Sequence, residues 1–187
     1  MLSSGDETSP RTIFLSSTAK VVELIVVVVI IGILSSIAIP SFQNSSLKAR
    51  QKGASILVSS YIKAAQAYKL ETGLNARTAG DLKDYVTVNE CNAVVDEIEV
   101  CKSRNPQVVN DTSRKWNSTD GAYMILMELE QGQSAGNRVF ILAAPHGSTA
   151  HVRNGYGVAG CYRASTGAVA ITNYDNPGST PRNVDSC

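Results

Sequence analysis

Glu23 is the residue whose chemistry most needs explaining, because it stands inside VVELIVVVVIIGILSSIAIP, residues 21–40. A lone carboxylate in hydrocarbon costs roughly 3 kcal/mol or more, so it marks a function and needs a partner. Lys20, three residues earlier on the same helix face, is one candidate partner within the chain. Other residue types with chemical potential form weaker patterns. His146 and His151 sit in APHGSTAHV and are read as surface loop histidines. Cys91, Cys101, Cys161 and Cys187 form no CxxC, so the spacing of a zinc site is absent. No GxSxG, HExxH or phosphate-cradling glycine loop is present, and neither a cofactor nor catalysis is expected.

Two basic stretches raise the question of nucleic acid. Lys102, Arg104, Arg114 and Lys115 flank Trp116, and basic residues around an aromatic suit a single strand. Glu97, Glu99 and Asp111 offset that charge, so Trp116 is expected at the edge of a folded head. The lysines between 48 and 69 are expected on a solvated helix face. The formal net charge of +1 gives no general pull toward nucleic acid or anionic lipid. Three Asn-x-Ser/Thr triplets, at Asn44, Asn110 and Asn117, read as chance matches to glycosylation sites.

The elements that must position Glu23 follow from periodicity. The chain has 187 residues, which suits one globular unit with an appendage. Residues 1–18 are polar and aperiodic, as a leader or disordered tail would be. From Val21 to Ile39, 19 residues rise roughly 28 Å as a helix, close to the thickness of a bilayer core. Beyond Pro40 the apolar residues Ala54, Leu57, Val58, Tyr61, Ile62, Ala65 and Tyr68 recur on one helix face. One helix is therefore expected from about residue 20 to 72, with a kink at Pro40 and a left-handed cap at Gly73. Residues 74–120 look polar and irregular.

Strand-like runs follow at Ala122–Leu129, Arg138–Ala144, Gly157–Arg163 and Ala168–Thr172, separated by glycine-rich breaks. Ala164-Ser165-Thr166-Gly167 predicts a tight hairpin. The expectation is an α+β head: an antiparallel meander of three or four strands whose apolar face buries the stripe on the long helix.

VELIVVVVIIGILSSIAIPSF resembles the N-terminal segment of type IV pilins and pseudopilins, with Glu23, Gly32 and Pro40 at that family's mutual spacings. YIKAAQAYKLETG, residues 61–73, looks similar to pilin helix, of the cyanobacterial kind. The detailed match covers about a quarter of the chain, and the head is similar in architecture alone. The resemblance implies a leader over 1–18, a transmembrane or filament-core helix over 19–40, an amphipathic continuation over 41–73 and a head over 74–187. It implies an irregular loop between helix and sheet and a C-terminal tail tied back by a disulfide. It further implies a subunit held in the bacterial inner membrane and then polymerised into an extracellular pilus. Its partners would be copies of itself, other pilins, lipid, an assembly machinery and a leader peptidase. In such filaments the glutamate meets the N-terminal amine of a neighbour, and a desolvated carboxylate beside an ammonium is favoured over either alone.

The chain departs from the family at the cut. Counting back from Glu23, the pair falls at Thr18 and Ala19, where the family has glycine and usually phenylalanine. A divergent but cleaved site, an uncleaved minor component and a decayed or miscalled start all fit. Other classes remain open beside the filament. Ser36-Ile37-Ala38 has the small-x-small character of an ordinary signal-peptide cut, which would release a secreted enzyme. A plain anchor would give a membrane-tethered periplasmic binding module. A pseudopilin of a secretion machine is the nearest relative of the filament subunit.

An exported chain favours paired cysteines. Four allow three connectivities, and the sequence alone does not choose. The expected pairs are Cys91–Cys101, closing a short loop in the acidic segment, and Cys161–Cys187, pinning the tail NYDNPGSTPRNVDSC to a strand. Pilin heads are similar in that second bridge.

Overall fold

The computed structural model describes residues 11–91, 101, 106–130, 137–146, 153–179, 184 and 187, with the backbone alone for 11–19. The chain divides into two compact units, Met1–Ser45 and Ser46–Cys187, and one helix, α1 (Arg11–Thr72), contributes to both. The architecture is α+β, a long apolar N-terminal helix and an antiparallel sheet with two disulfides.

In the first unit every described residue belongs to α1. The helix starts at Arg11, nine residues before the expected start, because residues 11–19 continue the turn without adding an apolar stripe that periodicity would detect. It runs unbroken through Gly32 and Pro40. Pro40 has no N–H, so the Ser36 carbonyl loses its helical donor there. The side chains from Val21 to Phe42 face outward, as in a helix that finds its apolar surroundings elsewhere.

In the second unit α1 ends where Gly73 turns left-handed (φ 74°) and its N–H donates to the Lys69 carbonyl at 3.0 Å, as expected of a glycine cap. The buried face carries Ala54, Val58, Tyr61, Ile62, Ala64 and Ala65, with Leu57 and Tyr68 at its margin. That is the stripe read from the periodicity, with Ala64 added.

The connection after the helix is less irregular than its composition suggests. A 3-10 turn forms at Gly80–Leu82, and β1 (Asn89–Glu90) pairs with β2 (Gln107–Val108). Ala76, Ala79, Leu82, Val88 and Val109 are buried in the main core. The acids Asp96, Glu97 and Glu99, and Lys102 and Arg104 of the basic stretch, lie outside the described residues.

The sheet is a five-stranded antiparallel meander in the order β3 (Lys115–Asn117), β4 (Tyr123–Glu130), β5 (Arg138–Pro145), β6 (Val158–Arg163) and β7 (Val169–Asn173). The last four match the expected runs to within a residue or so at each end. β3 is an addition. Its three residues are too few to show a period, and it is recruited by pairing Trp116 with Ile125 of β4. The expected hairpin closes at Gly167 (φ 72°), whose N–H donates to the Arg163 carbonyl at 2.9 Å.

Alternation divides the sheet between two cores. Val139, Ile141, Ala143, Val158 and Tyr162 join the helix side with Ile125 and Met127. Phe140, Leu142, Ala159 and Cys161 face the other way, where Val184 and Cys187 cover them. Val184 and Cys187 are therefore held by burial as well as by the bridge.

Candidate functional site

The apolar stretch of α1 is the first candidate. Among the described residues it is the one helix long and apolar enough to cross a membrane. Lys20 and Glu23 are both exposed on it. Between Glu7 and Glu71 the sequence has no acid other than Glu23, and between Arg11 and Lys48 no lysine or arginine other than Lys20. Among the described residues no ion pair joins the two. Thr18 and Ala19 fall inside the helical span, so the expected cleavage bond is helical in the intact chain. A Cβ added at Gly32 would meet nothing within 4 Å, so its notch is unfilled within the chain. Small residues of that kind let two helices approach closely in a membrane.

The head holds its own polar anchors, which the sequence did not single out. Gln51 is 8% exposed, and its Nε2 donates to the Tyr174 carbonyl at 2.9 Å and to the Gly157 carbonyl at 3.1 Å. It ties the helix to the start of β6 and to the segment after β7. Tyr123 is buried, and its hydroxyl donates to the Tyr156 carbonyl at 3.0 Å. Burial and then the nearby Asp120 carboxylate push the Tyr123 phenol up to about 12, with Arg50 pulling weakly the other way. The Tyr85 hydroxyl donates to the Glu71 carboxylate, and that bond pushes its phenol up to about 12 as well. Burial also raises Tyr61.

Both expected disulfides are formed. Cys91 and Cys101 lie 5.4 Å apart at Cα, and Cys161 and Cys187 lie 5.9 Å apart. Cys101 packs on the turn before β4, where a Cβ at Gly121 (φ 68°) would stand 2.5 Å from its sulfur.

Trp116 is 2% exposed, with its ring edge-on to Tyr61 at a centroid distance of 5.6 Å. It is part of the core and offers no face to a nucleic-acid base, which corrects the stacking role considered for it. His146 lies at the end of β5, and His151 is outside the described residues. Among the described residues no group of three His, Cys, Asp or Glu is placed to hold a metal. Open grooves mark the head surface. One, of about 570 Å³, is lined by Ser55, Ile56, Ser59, Ser60, Lys63, Ile171 and Asn173. Its residues carry no convergent acid–base or nucleophile–base set of the kind that marks a catalytic cleft.

Comparison with protein-family models, with curated proteins and with solved structures found no match to this chain.

Proposed function

We propose that the chain is a structural subunit of a type IV pilus-like surface filament, assembled through its apolar N-terminal helix. The observation that carries this reading is the make-up of α1. Its residues 46–72 help to build the core of the head, while its residues 21–42 expose a mostly apolar surface on which Glu23 is the one charged residue. A free helix with that surface is stable in lipid or against other apolar helices, and not in water. A lone acid on it adds a demand for a cationic partner. The antiparallel sheet and the two bridges supply a head able to stay folded outside the cell.

In this reading the chain has no catalysis of its own. Adhesion, twitching or DNA uptake would be powered by separate motor proteins, and the head's surface would make the contacts. The subunit starts in the inner membrane and leaves it on assembly. A pseudopilin of a secretion machine would use the same helix and a shorter assembly.

Shearing of cells that produce the chain tests the proposal. Its recovery in high-molecular-weight filaments, visible by electron microscopy, is the expected outcome. Retention of the whole population as monomer in the membrane pellet would instead identify a non-polymerising anchor. An N-terminus at Ile39 would identify an ordinary signal peptide and end the filament reading.

A further inference from the structure

We propose that Lys20 of one copy of this chain pairs with Glu23 of the next, so that the apolar helices self-associate through a repeating lysine–carboxylate contact. The proposal rests on the filament reading only in taking the apolar helix as the assembly surface.

The charges themselves select the partner. Lys20 and Glu23 stand alone as ionisable groups on the helix from residue 12 to residue 47. Both are exposed, and among the described residues no ion pair joins them. In hydrocarbon each would then be an unpaired charge, which is costly. Pairing within one helix is also the poorer option, because a lysine three residues before a glutamate is the less favourable order. A second copy removes both costs at once. Two copies inserted in parallel at one depth bring Lys20 of the first to within about 4.5 Å of the level of Glu23 of the second.

The surroundings fit a helical neighbour. Leu24, Val27, Ile31 and Leu34 continue down the same side at steps of three and four, and all four are more than half exposed. In an all-apolar run such a stripe exists on every face, so the two charges decide which one meets the neighbour. A reciprocal pair of Lys20–Glu23 contacts would close a two-fold dimer, whereas the same contact made head-to-tail by successive copies leaves one charge open at each end and propagates, as a repeating contact requires. Lys48, the next cation in the sequence, belongs to the second unit and serves as a control.

The intact chain itself provides no competing ammonium at this level. Thr18–Ala19 is helical peptide, so the Ala19 nitrogen is an uncharged amide unless the bond is cut. Lys20 supplies the positive charge in either case.

The test uses the full chain in lipid vesicles, with energy transfer between labelled copies reporting association and both disulfides confirming a folded head. Lys20→Glu and Glu23→Lys, each alone, should weaken association about tenfold, the range of an interhelical polar contact in lipid. Mixing the two variants should restore it, since each then offers the charge the other lacks. Lys48→Gln should change nothing. Wild-type-like association by either single variant, or no recovery in the mixture, overturns the proposal. So does association that survives Lys20→Gln but requires cleavage before Ala19, which assigns the countercharge to the new terminus. In those cases filaments can still form and the functional reading stands. Failure of the wild-type chain to associate at all also overturns the proposal, while the sheared-filament test decides the functional reading separately.

Discussion

Gly160 on β6 faces Val58 of α1 so closely that a Cβ there would stand 2.5 Å from Val58 Cγ1 and 3.2 Å from Ile62 Cγ1. The strand approaches the helix within the space a side chain would need, and Val58, Ile62 and Val158 close the core around that contact. Gly160→Ala should therefore push the helix off the sheet. We expect a loss of about 1–3 kcal/mol in denaturant unfolding of the head. Gly32→Ala, where a Cβ meets open space, should leave the head's unfolding midpoint unchanged.

The tail is held twice, by the Cys161–Cys187 bridge and by Val184 at 2% exposure. Paired Cys161→Ser and Cys187→Ser changes should lower stability by roughly 2–4 kcal/mol. Limited proteolysis should then cut first after residue 174, with the helix content by circular dichroism preserved. Val184→Asp alone should give a partial version of the same pattern. Undiminished resistance of the tail in both variants would mean that neither hold matters.

Tyr123 links stability to alkaline pH. Its phenol titrates near 12 in the folded head and near 10.0 when unperturbed. The folded pKa is the higher one, so this group's contribution is complete below about pH 10 and is lost as pH rises toward 12. Tyr123→Phe, which also gives up the bond to the Tyr156 carbonyl, should cost about 1 kcal/mol at neutral pH. The gap between wild type and variant should shrink as pH rises above 10 and reverse in sign before pH 12. A constant gap across that window would contradict the assignment.

Much of this head is legible in the sequence, for reasons that particular residues make plain. The stripe from Ala54 to Tyr68 repeats on a helical period, and β5 and β6 are dense apolar runs bounded by turn residues, so both elements announce themselves. Trp116 does not. Its strand is three residues long, and its burial depends on Tyr61, 55 positions away. Val184 lies in a stretch of polar and turn-forming residues, and only the outer face of the sheet, at Phe140 and Leu142, explains why it is buried. Gln51 reads as one more polar residue on a solvated helix until the carbonyls of Gly157 and Tyr174 are placed beside it. The assembly candidate was legible as chemistry, because a single acid in an apolar run needs no tertiary context to be conspicuous. Its partner was not, since nothing in one chain fixes what lies across a helix surface.

The proposed role of Glu23 is to drive assembly of the apolar helix into a filament. The most direct measurement compares filaments sheared from cells producing wild-type chain and the Glu23→Ala chain at equal expression. The variant should keep both disulfides, stay in the membrane fraction, and yield few or no filaments. Normal filament yield from Glu23→Ala would contradict it.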